Sequence, residues 1–278
     1  MKNSVKIYKK VLRLIKKNYN KAIDFIYKKP IDNLNPYLFV VGCGHSGTTL
    51  ITAILNVHDD IYAIPEETGL FIKYQRSRKF IRKYISNIKN ECNCNIILEK
   101  TPMHVYSVDR IFQYYPKSKI IIMTREGKDV VSSLKARYDD FDKGLNRWIN
   151  DNLEALKHKD NENVIFVKLE DLIVKLEETM LAICDFIDIS FTKSFLNHTS
   201  QKYEYLGFKE YKKIPQSEED GDEHNYLRAH QVNQPVKDTR GRWKKNLDSN
   251  EINRIYLEAS SIYEKLGYLK EAINNGEQ

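Results

Sequence analysis

No stretch of this 278-residue chain holds the roughly 18 to 20 consecutive apolar residues that a membrane-spanning helix requires, which leaves a soluble or membrane-peripheral protein as the expectation. Cysteine is scarce as well. Cys43, Cys92, Cys94 and Cys184 cannot make the disulfide framework of a small secreted domain in a chain this long, and no signal peptide is recognisable before them, so a cytoplasmic location is expected. Cys92 and Cys94 have no second Cys or His pair at the spacing of a structural zinc site, and no metal is expected. No internal repeat is visible. The 41% apolar and 11% aromatic residues are those of a folded protein, and the length suits one substantial core with appendages. A net charge of +7 favours anionic partners, whether nucleic acid, acidic lipid, acidic glycan or phosphorylated nucleotide, and selects none of them. No nucleic-acid-binding motif is recognisable, so nucleic acid is not an expected partner.

Acidic residues are nearly missing from the first 29 positions, where Asp24 stands alone among lysines and Arg13. Tyr8, Leu12, Ile15, Tyr19, Ile23 and Ile26 recur there at helical spacing, so residues 1–35 read as a basic amphipathic helix ended by Pro30 and Pro36. Such a helix can lie peripherally on an anionic membrane or a partner, or it can pack on the domain with its lysines solvated. Residues 36–278 read as one domain. Tyr37 to Val41 is a continuous apolar run of the kind that forms a buried parallel strand, and further strands are predicted at 96–98, 119–123 and 163–167. Helices are predicted at 48–57, 105–115, 129–137, 144–157, 176–187 and 247–266, the last capped by Asp248 or Ser249 and ended by Gly267. This alternation predicts an α/β fold, a parallel sheet flanked by helices on both faces. Residues 196–234 are polar and carry the acidic run from Ser217 to Glu223; they read as a loop or lid over a site, or as a plain surface insertion.

Gly42-Cys-Gly44-His45-Ser46-Gly47-Thr48-Thr49 falls between a predicted strand and a predicted helix, where backbone N–H groups converge on an anion at the positive end of the helix. The arrangement is P-loop-like. It departs from the loop of nucleoside triphosphatases at Thr48, which stands where that motif has Lys, so an ordinary ATPase or GTPase is disfavoured.

The segment Gly42 to Leu50 resembles the 5′-phosphosulfate loop of sulfotransferases that use 3′-phosphoadenosine 5′-phosphosulfate (PAPS), although that family generally has Arg or Lys where His45 stands. The substitution replaces a permanent cation by a titratable one, so either His45 is held protonated or another residue supplies the charge. Thr124 to Ser133 resembles the family's 3′-phosphate motif, which assigns that group to Arg125 and Ser133; an Arg fork and a helix hydroxyl suit a phosphate. Lys237 to Leu247 is similar to the family's basic C-terminal segment, implying anion contacts from Lys237 and Arg242, with Trp243 structural. Pro65-Glu66-Glu67-Thr68 stands where the tyrosylprotein and carbohydrate branches carry a catalytic Glu. Aligning the Glu-Thr pair points to Glu67 as the base, and an ungapped count from the loop points to Glu66. Glu99-Lys100-Thr101-Pro102 resembles the tyrosylprotein segment whose Lys contacts the bridging oxygen, which gives Lys100 part of the role missing at His45.

The resemblance covers about residues 38–266. It implies a sulfotransferase domain over 36–278, with 196–234 on the acceptor side, and PAPS as donor. It also implies transfer of a sulfuryl group to a hydroxyl or amine of a carbohydrate, protein or small-molecule acceptor. No metal is required, because side chains and backbone amides supply the charge that a kinase takes from magnesium. The alternatives are a P-loop small-molecule kinase and a nucleotide-binding protein without catalysis.

Overall fold

The computed structural model describes residues 2–27, 29–32, 36–92, 94–201, 203, 230 and 233–268. Five parallel strands, β1 (Tyr37–Gly42), β2 (Ile61–Ala63), β3 (Ile96–Lys100), β4 (Lys119–Thr124) and β5 (Val164–Lys168), form one sheet in the order β2-β3-β1-β4-β5. Strand β1 lies at the centre, where connections leave in opposite directions, and such switch points open a crevice at the carboxyl ends of the strands. Side chains alternate across the sheet. Leu38 and Val40 enter one core and Phe39 and Val41 the other, as do Ile121 and Met123 against Ile120 and Ile122. Both faces are therefore covered, which is why these strands read as unbroken apolar runs.

Helices α2 (Thr48–Leu55), α7 (Leu169–Val174) and α8 (Leu176–Ile187) contribute to the first core, and α3 (Arg78–Glu91) and α4 (Val108–Tyr114) to the second. A third cluster joins α5 (Gly127–Tyr138), α6 (Phe141–Leu156) and α9 (Ser249–Leu266) around the fully buried Trp148. Asp248 caps α9 in a reciprocal capping box with Glu251, and Gly267 closes it in the left-handed region at φ 74°.

Strand β2 and helices α3 and α7 went unpredicted. Strand β2 has three residues and α7 six, too few to show a period, whereas α3 does carry its signal: Ile81, Ile85 and Ile88 fall on one face, and Ser77 caps it by accepting from Phe80 N–H. Although the cysteines make no disulfide framework and a cytoplasmic location was expected, Cys92 and Cys94 are joined by a disulfide; their Cα atoms are 5.4 Å apart, within the ordinary span. Cys43 and Cys184 are free and buried. The basic helix α1 (Lys2–Ile26) is present. Among the described residues no helix is long and apolar enough to cross a membrane, and no group of three or more His, Cys, Asp or Glu is placed to hold a metal ion. Most of the anticipated loop at 196–234 lies outside the described residues. Its flanks are tied together, because Asn233 accepts from Tyr203 N–H and donates to Tyr203 C=O.

Candidate active site

Strand register alone collects most of the predicted residues at one end of the sheet. Val40 is level with Lys100, and Gly42 with Met123, so the glycine loop, Lys100 and Arg125 all leave the carboxyl edge side by side. The loop needs two of its glycines for steric reasons. Gly42 has φ 133° and a Cβ there would meet Met123 O at 2.3 Å; Gly47 has φ 85° and a Cβ would meet Leu169 Cδ1 at 2.7 Å. Gly47 leads into α2, whose first residues Thr48 and Thr49 are buried.

His45 also takes the left-handed conformation, and its Nδ1 lies 2.7 Å from Ser133 Oγ. Arg125 donates from Nη1 to His45 C=O (3.1 Å) and from Nη2 to Thr239 C=O (3.0 Å). Arg125, Ser133 and the loop thus form one cluster, although both side chains come from positions 80 or more residues beyond His45. Within it, Ser46 Oγ and Arg125 Nε are buried and have no hydrogen-bond partner among the described residues. Two unsatisfied buried donors beside converging backbone amides fit an anionic group of the phosphosulfate kind. Thr239 brings the C-terminal segment onto Arg125, but Lys237 and Arg242 themselves are exposed. Asp129, which the sequence reading did not single out, pins that segment by accepting from Gly241 N–H (2.9 Å) and Trp243 N–H (3.2 Å).

The acidic turn and the end of β3 form a clasp. Lys100 is 1% exposed and donates to Glu67 Oε1 at 2.8 Å, while Glu66 turns away to accept from Tyr84 OH. Burying an ammonium is costly unless it is paired, and Glu67 supplies an ion pair. One residue further on, Thr68 OH donates to Glu99 (2.7 Å), and Gly69 N–H donates to Thr101 Oγ1. Glu99 is fully buried and also accepts from Thr101 OH (2.6 Å) and His104 Nδ1 (2.9 Å). Phe71 N–H donates to His104 Nε2, which places the ring proton on Nδ1 for Glu99. Burial would raise the Glu99 carboxyl's pKa; His104 and the two hydroxyls outweigh it and hold the group below its ordinary value.

A further cation reaches the loop. Arg147, on α6, places Nη2 3.0 Å from where a Cβ on Gly44 would sit, so this glycine is what admits the guanidinium. Its Nε faces Asp151 at 3.4 Å and its Nη1 donates to Tyr138 OH; burial works against the charge, and these two partners hold its pKa above the ordinary value. Nothing in the sequence around Arg147 distinguishes it from any arginine on an amphipathic helix.

A cavity of about 520 Å³ walled by Trp243, Tyr256, Tyr263 and Tyr268 shares no residue with the glycine loop and is not the candidate site. It borders Glu126, which caps α5 and accepts from Tyr263 OH at 2.8 Å. Burial pushes the Glu126 carboxyl up to about 7, against the pull of Lys128. The folded state then holds a proton that the unfolded chain releases near 4.5, so this group's stabilisation is complete below pH 4.5 and is lost as pH rises through 7. Glu126→Gln is expected to raise the melting temperature at pH 8 by several degrees and to leave it unchanged at pH 4.5. The corresponding stabilisation is on the order of 2 kcal/mol after allowance for the exposed edge of the side chain. Thermal unfolding at the two pH values checks this, and an equal effect at both would show that Glu126 is ionised throughout.

A parallel sheet with a glycine loop at its switch point, and an Arg and Ser beside that loop, define a P-loop-like nucleotide-binding domain. Comparison with known proteins agrees. The profile described as "Sulfotransferase family" matches residues 74–193, and that described as "Sulfotransferase domain" matches residues 144–265. Protein-tyrosine sulfotransferase A of Caenorhabditis elegans is 23% identical over 200 residues, covering 59% of this chain and 53% of the relative, and protein-tyrosine sulfotransferase 1 of Danio rerio is 25% identical over 215 residues, covering 64% and 59%. The chain therefore spans little more than half the length of these two relatives. Among solved structures, the sulfotransferase domain of the Synechococcus PCC 7002 olefin synthase superposes with a TM-score of 0.56 at 16% identity, over 84% of this chain and 98% of that one. Mouse sulfotransferase SULT7A1 complexed with PAP superposes with a TM-score of 0.52 at 17% identity, over 82% and 84%. The chain belongs to the sulfotransferase family.

Proposed function

We propose that the chain transfers a sulfuryl group from PAPS to an acceptor hydroxyl or amine by in-line displacement. The observation that carries this reading is the meeting, at one sheet edge, of the glycine loop, the Arg125–His45–Ser133 cluster and the Glu67–Lys100 pair. PAPS, when bound, supplies the activated sulfuryl group and a phosphate leaving group. The loop amides and Ser46 bind the phosphosulfate end, and Arg125 and Ser133 bind the 3′-phosphate, with Lys237 and Arg242 adding charge from the C-terminal segment. Glu67 takes the acceptor proton. Its contact with Lys100 favours it over Glu66, which is engaged by Tyr84. Lys100 stabilises charge on the departing oxygen, the place where a preorganised cation is most effective. Arg147 stands by the loop as the permanent cation that His45 does not provide, positioned to meet the sulfuryl oxygens. The protein-tyrosine sulfotransferases among the relatives support a phenolic hydroxyl as the first acceptor to try.

Calorimetric titration with 3′-phosphoadenosine 5′-phosphate (PAP), with and without magnesium, tests the donor site. Binding should be independent of the metal. Arg125→Ala should weaken it by about 10- to 150-fold, the range for hydrogen bonds to charged groups, and Ser133→Ala by about threefold to tenfold. No PAP binding, or binding of ATP with magnesium in its place, would overturn the assignment in favour of a kinase.

A further inference from the structure

Helix α1 meets the rest of the protein with its polar side. Asn20 Nδ2 donates to Tyr74 C=O at 2.8 Å, and Asp24, 3% exposed, accepts from Arg110 Nε at 2.7 Å and from Tyr114 OH. Gln113 Nε2 closes the joint by donating to Asp24 C=O at 2.6 Å. At 100° per residue Asn20 and Asp24 fall on the same side as Lys6, Arg13 and Lys17, opposite the apolar arc. The usual arrangement, an apolar stripe turned toward the core, is thus reversed.

The apolar arc is left in solvent. Ile7, Val11, Leu14, Ile15, Tyr8 and Tyr19 all lie on it, with exposures from 46% at Val11 to 65% at Tyr19; Phe25, 79% exposed, and Ile26 continue it along the same face. It is about half the circumference of the helix and free of charge. The other half is wholly basic over the exposed turns. Residues 6–21 hold Lys6, Lys9, Lys10, Arg13, Lys16, Lys17 and Lys21 and no acidic residue, and Lys9 and Lys16 stand at one border of the apolar arc and Lys21 near the other.

We propose that α1 docks the protein on a bilayer of anionic lipid, its apolar arc in the acyl boundary and its lysines among the headgroups. The pattern is that of an interfacial helix, in which buried apolar area and attraction to acidic lipid act together. Charge decides against the competing occupants. Two copies of α1 joined by their apolar faces would set two all-basic segments side by side with no acid to pair them, and a nucleic acid would engage the lysines but leave the apolar arc in water. The buried Asp24–Arg110 pair fixes the helix on the body, so docking would also orient the domain on the surface.

The test is sedimentation of the full chain with vesicles of 30 mol% phosphatidylglycerol in phosphatidylcholine, against pure phosphatidylcholine, at about 0.15 M salt. Partitioning should be at least tenfold stronger on the anionic vesicles. Leu12→Glu with Ile15→Glu should abolish it, and Lys6→Gln with Lys10→Gln should weaken it by about fivefold per cation removed. These positions are away from the Asn20 and Asp24 joint, and retention of PAP affinity and melting temperature shows that the variants fold. Equal binding to both vesicles, or none, would overturn the proposal. So would a dimer, seen by analytical ultracentrifugation without vesicles, that the Leu12→Glu, Ile15→Glu variant dissociates. Salt-sensitive binding to duplex DNA without vesicle binding would equally refute it.

Discussion

Lys100→Met is expected to lower kcat for sulfuryl transfer by about 10²- to 10³-fold, the loss seen when one preorganised group is removed from developing charge. Glu67→Gln should cost about 10²- to 10⁴-fold, the range of a positioned general base. The two side chains touch, at 2.8 Å, and are proposed to act on the two ends of one displacement, so their effects should not multiply. The double variant should be within about tenfold of the worse single one. A tyrosine-containing peptide or another acceptor that supports turnover by the wild type serves for the assay. PAP affinity within about threefold of wild type in each variant would locate the loss in the chemical step. Because Lys100 is buried and Glu67 is partly exposed, a fall in melting temperature is expected with Glu67→Gln, which leaves the ammonium a weaker acceptor. Lys100→Met retaining activity within threefold of wild type would remove Lys100 from the mechanism.

Arg147→Gln should lower kcat by at least tenfold and weaken the donor PAPS more than the product PAP, since only the donor carries the sulfuryl oxygens that the guanidinium is proposed to meet. That difference separates contact with the transferred group from a packing role. Loss of the Asp151 and Tyr138 contacts would disturb both nucleotides alike. Arg147→Lys should recover little, because an ammonium on a shorter stem cannot present the guanidinium's fork over Gly44. Equal weakening of PAPS and PAP would assign Arg147 to structure alone. The result bears on His45, whose imidazole can carry positive charge but does not do so permanently. With Arg147 in place the loop has a fixed cation on one side and Lys100 is positioned at the same sheet edge.

The parts of the fold and site that could be read from sequence are those whose signals are local. A continuous apolar run such as Tyr37 to Val41 announces a strand buried on both faces, and the observed division of its side chains between two cores is the physical source of that run. Helix α8 was bounded by its own periodicity at Leu176 and Ile187. The eight-residue spacing of Arg125 and Ser133 fits a strand end followed by helix, and both side chains reach His45. What could not be read depends on contacts between distant segments. Arg147 matters only because α6 crosses the loop at Gly44, and Asp129 only because residues 241 and 243 return to it. The choice between Glu66 and Glu67 turned on alignment alone in the sequence. In the structure the two diverge, Glu66 toward Tyr84 and Glu67 toward Lys100.

Glu99 has a consequence for how this chain can change over generations. Its carboxylate accepts from Thr68, Thr101 and His104 at once. Losing any one partner strips a donor from a buried charge, and losing Glu99 strands three donors together, each at a cost of about 1–3 kcal/mol. Positions 68, 99, 101 and 104 therefore form a single unit of substitution: drift at one is tolerated only with a matching change at another. Random mutagenesis scored by turnover would mark all four as essential. Yet among them are no groups assigned to the reacting atoms, only the residues that hold Glu67 and Lys100 where they stand.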